Sequence, residues 1–274
     1  MATFEFDGKS IYYEVHGEGE PLVMLNGIMM SCPSWIEFIE PLSASRQLIL
    51  FDFLDQGRST RMEEDYSQEL QAEVVRTLLD HLQLEQVDMV GISYGGMVAQ
   101  HFALKYQHRI RRLVLFNTTA KTGHKIDDVF LGWNAAADDP NDYYLTTIPI
   151  VYSDDFYNKN YSWMEFVRSR LLPLFEKESF MGSMKRLAKS ICYVDLLDRI
   201  SEIAVPTLVV SSADDALIPP AEQVKIVEQL PHGEYVVIPN CGHASMNEQP
   251  LLFTALVLGF ISTTKTKFKI VTSK

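Results

Sequence analysis

The sequence predicts an α/β fold: a mostly parallel sheet with helices on both faces, an antiparallel N-terminal hairpin and a helical cap insertion. Three observations carry this expectation. Short apolar runs without alternation recur along the chain, as strands covered on both faces require. Helix-period stretches separate them, so strand and helix alternate. Between about residues 121 and 200 that rhythm stops, and afterwards it resumes.

The elements follow in order. Residues 3–6 and 11–15 flank Asp7-Gly8, a turn pair that tolerates positive φ, and read as a hairpin. Apolar runs at 21–25, 47–53, 87–92 and 112–116 read as strands; the first stops at Asn26-Gly27 and the third runs into Gly95-Gly96. Residues 67–84 place Leu70, Val74, Leu78 and Leu82 on one helical stripe, and 96–106 is the helix after the third run. From 121 to 198 there are helix-compatible pieces at 127–137, 162–172 and 180–197, dense in aromatic residues. Strand 207–211, helix 220–230, strand 234–238 and helix 249–261 then restore the pattern. The expected division is core 1–120, cap 121–200, core 201–264 and a solvated, lysine-bearing tail 265–274.

With 274 residues, 47% hydrophobic and 22% charged, the chain has the composition of a globular protein with a sizeable core. A formal net charge of −12 disfavours nucleic acid and anionic membrane surfaces as partners, because both require a cationic face. Cys32, Cys192 and Cys241 form no CxxC pair, so reduced thiols are expected and no metal site is read. The opening segment lacks the basic start and apolar run of a secretion signal, and no apolar run is long enough to span a membrane. A cytoplasmic monomer or homodimer without cofactor is the expectation.

The chemistry starts at Gly91-Ile92-Ser93-Tyr94-Gly95, directly after a strand and directly before a helix. A serine hydroxyl is a poor nucleophile unless it is exposed, oriented and next to a base. A tight strand-to-helix turn supplies the exposure, and glycines two residues to either side relieve its crowding. The helix start aims free N–H groups to where negative charge would develop. Of seven histidines, His243 in Asn240-Cys241-Gly242-His243 lies just beyond the last strand and is the candidate base. The other six sit on helices or in surface turns. An imidazole needs a carboxylate to hold its tautomer, and Asp214 and Asp215 both follow the strand 207–211. Strand carboxyl ends are where ligands gather in open α/β sheets.

On LVMLNG, LILFDFLDQGRST, VGISYGGMVAQHFA, LVVSSADDALIPP and IPNCGHASMNEQP, the chain resembles a capped α/β-hydrolase, the likeness extending from the hairpin to Ile261. In that family the acid lies four residues before a proline, so the resemblance selects Asp215 by counting back from Pro219. It implies a catalytic triad of Ser93, Asp215 and His243, with an oxyanion hole made by the N–H groups of Ile28 and Tyr94. The chain departs from the family pattern in carrying Asn26 where His is usual, Asp55 where Gly is usual and Ser212 where Gly is usual. Asp52 and Ser59 keep the pattern of their stretch, which reads as turn architecture. Serine at residue 93 argues against the dehalogenase and epoxide hydrolase branches, which need a carboxylate there.

The resemblance implies acyl transfer to water: a carboxylesterase-like enzyme acting on a small apolar acyl ester, thioester or lactone. Met29, Trp35, Met97, Trp133, Trp163 and Met246 are the expected pocket residues, with methionine adapting to varied apolar shapes. Rival readings are an acyltransferase of hydroxyacyl-transferring type, a ligand receptor that keeps the triad, a perhydrolase and a C–C bond hydrolase. A transferase taking an acidic carrier protein would need a basic docking surface. The most basic cluster, Arg109, Arg111 and Arg112, precedes its strand and is expected at the sheet edge opposite Ser93.

Overall fold

A computed structural model describes residues 2–262. In chain order its elements are β1 (Ala2–Phe6), β2 (Lys9–His16), β3 (Glu20–Leu25), α1 (Ile36–Ser43), β4 (Arg46–Phe51), α2 (Gln68–His81), β5 (Val87–Ile92), α3 (Tyr94–Tyr106) and β6 (Ile110–Phe116). Five helices follow without a strand: α4 (His124–Ala136), α5 (Pro140–Val151), α6 (Asp154–Lys159), α7 (Tyr161–Phe175) and α8 (Glu178–Ile191). The chain then returns through β7 (Thr207–Ser212), α9 (Pro220–Gln229), β8 (Gly233–Ile238), α10 (Ser245–Glu248) and α11 (Pro250–Ser262). The tail expected at 265–274 lies outside the described residues.

The eight strands form one sheet in the order β1-β2-β4-β3-β5-β6-β7-β8. The pairs β1/β2 and β2/β4 are antiparallel and all others are parallel. Asp7 and Gly8 both take positive φ (46° and 72°), the geometry of a two-residue hairpin turn. Alternation along the buried strands divides the core in two. Val23, Leu25, Met89, Leu113 and Val209 face the side covered by α2, α3 and α9. Leu22, Met24, Val90, Val114 and Val210 face the side covered by α1 and α11. Because both faces are covered, the strands read in sequence as continuous apolar runs instead of alternating ones.

Two helices of the strand-free stretch, α5 and α6, and the helix α1 were not expected from the sequence. Pro149 and Pro41 lie inside α5 and α1 and obscure their periodicity. N-terminal capping residues signal α5 and α6 instead: Asp139 accepts from the N–H groups of Asn141 and Asp142, and Ser153 Oγ accepts from Phe156 N–H.

Helices α2 and α3 are tied through Glu73, whose carboxylate accepts from Tyr106 Oη (2.8 and 2.9 Å), Arg76 Nε (2.9 Å) and Lys105 Nζ. Burial raises the Glu73 carboxyl, but these hydrogen bonds outweigh it and hold its pKa near about 2, below the ordinary 4.5. A depressed carboxylate stabilises the fold above its unfolded pKa, and that contribution is lost as pH falls through the folded one. Glu73→Gln is therefore expected to cost about 1 kcal/mol at pH 7, the scale of partly exposed ion pairs. In urea denaturation the gap to wild type closes as pH falls from about 4.5 toward about 2. A gap that persists at the acid end would contradict this account.

Candidate active site

The carboxyl ends of adjacent strands present the polar residues in a row. Asn26 follows β3, Asp52 follows β4, Ser93 follows β5, Asn117 follows β6, Asp215 comes just after β7 and His243 after β8. Ser93 takes φ 50° and ψ −112°, a strained conformation for a residue with a side chain. Glycine is required around it: a Cβ on Gly91 would lie 2.6 Å from the Gly95 carbonyl oxygen, and one on Gly95 would strike the Leu25 carbonyl.

Ser93 Oγ lies 2.9 Å from His243 Nε2, and His243 Nδ1 lies 2.8 Å from Asp215 Oδ2. All three side chains are nearly buried. Asp215 is fully engaged as an acceptor. Its Oδ1 takes the N–H groups of Leu217 (3.0 Å) and Ile218 (2.8 Å), and its Oδ2 also takes Asn117 Nδ2 (3.0 Å). Asn117 in turn accepts from Ser245 Oγ (2.9 Å), which links the acid to the segment carrying His243. Asn117, at φ 47°, was missed in sequence; its only signal was its place directly after a buried strand. Asp214 is exposed.

Asn26, standing where histidine is usual, is buried and wired on both ends of its amide. Its Nδ2 donates to the Phe51 carbonyl (2.9 Å) and Gln56 Oε1 (3.1 Å), while its Oδ1 accepts from Trp35 Nε1 (2.7 Å). Gln56, also missed, donates to the carbonyls of Gly27 (2.8 Å) and Ile28 (3.1 Å), fixing the loop they form. The N–H groups of Ile28 and Tyr94 have no acceptor among the described residues. The Tyr94 side chain leaves the site: its hydroxyl lies 3.3 Å from Ser190 Oγ on α8.

A cavity of about 340 Å³ opens over Ser93 and His243. Met29, Met30 and Met246 line it from one side, and Phe130, Trp133, Ile148, Val151, Tyr152, Trp163 and Leu171, from the α4–α7 segment, line the other. Among the described residues, no Asp, Glu, Lys or Arg lines it. Two expected pocket residues lie elsewhere. Trp35 is fully buried in the second core against Phe38 and Phe253, because its indole N–H needs a buried acceptor and Asn26 provides one. Met97 points from α3 into the sheet–helix core, with its sulfur 3.5 Å from Gln68 Nε2.

Asp55, at φ 69°, satisfies the turn that glycine usually makes and adds a tie to α8. Its buried carboxylate takes Arg186 Nε (3.0 Å) and Nη2 (2.5 Å) and Ser183 Oγ (2.8 Å), all from α8. Asp52 holds its loop through the N–H groups of Cys32 (2.7 Å) and Arg58 (2.8 Å). Among the described residues no group of three or more His, Cys, Asp or Glu side chains has a metal-site arrangement. No described helix is long and apolar enough to cross a membrane.

A family model described as alpha/beta hydrolase fold matches residues 20–250. The solved structure of MGS-M2, an alpha/beta hydrolase enzyme from a Medee basin deep-sea metagenome library, is 44% identical, with a TM-score of 0.96 over 98% of this chain and 100% of that one. A protein of Azorhizobium caulinodans named "Putative carbamate hydrolase RutD" is 27% identical, covering 91% of this chain and 94% of its own. The 2-hydroxy-6-oxo-2,4-heptadienoate hydrolase of Pseudomonas putida is 26% identical, covering 90% of each.

Proposed function

The chain belongs to the alpha/beta hydrolase family, and on that premise we propose that it is a serine hydrolase cleaving neutral, apolar carboxylic esters, thioesters or lactones. The observation that carries this reading is the unbroken hydrogen-bonded line from Ser93 Oγ through His243 to Asp215 at the cavity floor. With Asp215 holding a proton on Nδ1, Nε2 of His243 is free to accept the serine proton as Oγ attacks the acyl carbon. The N–H groups of Ile28 and Tyr94 take the developing oxyanion. The imidazolium then gives its proton to the leaving alcohol or thiol. Water, deprotonated by the same nitrogen, attacks the acyl-enzyme and releases the acid.

The lack of charged side chains among the described residues that line the cavity supports a neutral substrate. The Pseudomonas relative is named for a dienoate, a carboxylate, and among the described residues no guanidinium or ammonium lines this cavity to offset desolvation of such a group. Transfer from an acidic carrier protein finds equally little support. Arg109 and Arg111 lie at the amino end of β6, away from Ser93, and are engaged by Asp80, Asp88 and Glu20.

The test is a panel of p-nitrophenyl esters, matched neutral acyl chains against ω-carboxylate chains of equal length. Neutral esters should lead in kcat/KM by at least about 10²-fold, the scale of leaving one buried charge unpaired. Parity between the two series would remove the neutral-substrate assignment. A fluorophosphonate adduct should map to the peptide carrying Ser93.

A further inference from the structure

The loop that carries His243 is stitched to the cap on both sides of the imidazole. Glu248, on α10, accepts three hydrogen bonds: from Gly242 N–H (3.0 Å), Ser153 N–H (2.9 Å) and Ser153 Oγ (2.6 Å). Ala244 N–H donates to the Val151 carbonyl (2.8 Å). The residues immediately before and after His243 are thus held by residues 151–153, the joint between α5 and α6. The packing there is tight: a Cβ on Gly242 would lie 2.7 Å from Glu248 Oε1 and strike the Ser153 nitrogen. The same joint forms a wall of the cavity through Val151 and Tyr152.

Three neutral donors converge on Glu248 from two parts of the chain. A carboxylate can accept on both oxygens, whereas a glutamine amide would turn an NH₂ toward at least one of those donors. We propose that Glu248 is a positioning residue for His243, locking the loop of the base to the cap joint that walls the acyl cavity. This rests on the serine-hydrolase reading above. The base and the acyl wall then keep one register, and a displacement of roughly 1 Å at the imidazole can cost about 10²-fold in rate.

The experiment compares Glu248→Gln, Ser153→Ala and the double variant with wild type, using p-nitrophenyl butyrate and fluorophosphonate titration to count active sites. Glu248→Gln should lower kcat per titrated site by about 10- to 100-fold, with KM within about threefold. Ser153→Ala, which keeps the Gly242 contact, should lose less. The double variant should be no worse than Glu248→Gln alone, since both act through one connection. A wild-type kcat per titrated site, with only the number of active sites or the thermal midpoint reduced, would make Glu248 purely structural and overturn the proposal. So would additive losses in the double variant. Should Glu248→Gln fail to fold, Ser153→Ala still decides: unchanged kcat per site refutes the connection. Failure of the underlying reading shows separately, as activity that survives Ser93→Ala.

Discussion

Ser93→Ala is expected to lower kcat on p-nitrophenyl butyrate by about 10⁶-fold, as loss of a serine nucleophile does where the groups act as a unit. The fold should survive the change. The Ser93 hydroxyl makes its one side-chain hydrogen bond to His243, and the strained backbone is set by its neighbours. Binding of substrate should persist, so KM or an equilibrium Kd separates lost chemistry from lost structure. Turnover near wild type would eliminate Ser93 as nucleophile. Cys241 offers no substitute. It is fully buried in the second core, and burial pushes its thiol up to about 12, so it holds almost no thiolate at neutral pH.

Asp215→Asn should cost about 10⁴-fold in kcat with little change in KM, on the pattern of acid-to-amide changes in such triads. The reason lies in the donors around it. Leu217 and Ile218 N–H would claim the single amide oxygen, turning the NH₂ toward Asn117 and His243 Nδ1. That forces the proton of His243 onto Nε2, the atom that must accept from Ser93. Asp214→Asn serves as the contrast, because Asp214 is exposed. It should stay within about twofold of wild type, as surface substitutions generally do. An Asp215→Asn enzyme within tenfold of wild type would show that another carboxylate orients the imidazole.

The parts of this protein legible in sequence share a physical cause. Strands buried on both faces are predominantly apolar, so β3, β4, β5, β6 and β7 stand out as apolar runs, and β5 was placed to the residue. The Ser93 turn is legible for a local reason: its backbone crowding demands glycine at 91 and 95. Ser93, Asp215 and His243 each follow a strand, so one sheet edge collects them. Trp35 and Met97 were misplaced because a residue's position in sequence beside the site does not say which way its side chain turns. Asn26 and Gln68 drew them into the core. Helices α1 and α5 hid behind internal prolines, which break the periodic signal without breaking the helix.

The sequence by itself determined the alternation of strand and helix, the sharp turn at Ser93 and the chain order of the three polar residues. These follow from local sterics and from burial patterns within a few residues of each position. Only the tertiary structure decided that no charge among the described residues lines the cavity, that Asn117 and Gln56 brace the site, and that Glu248 ties the His243 loop to Ser153. Those features arise between segments far apart in the chain, as with the 95 residues separating Ser153 from Glu248 and the 128 separating Asn117 from Ser245. Folding brings such groups within hydrogen-bond reach, and no local pattern in the chain records the meeting.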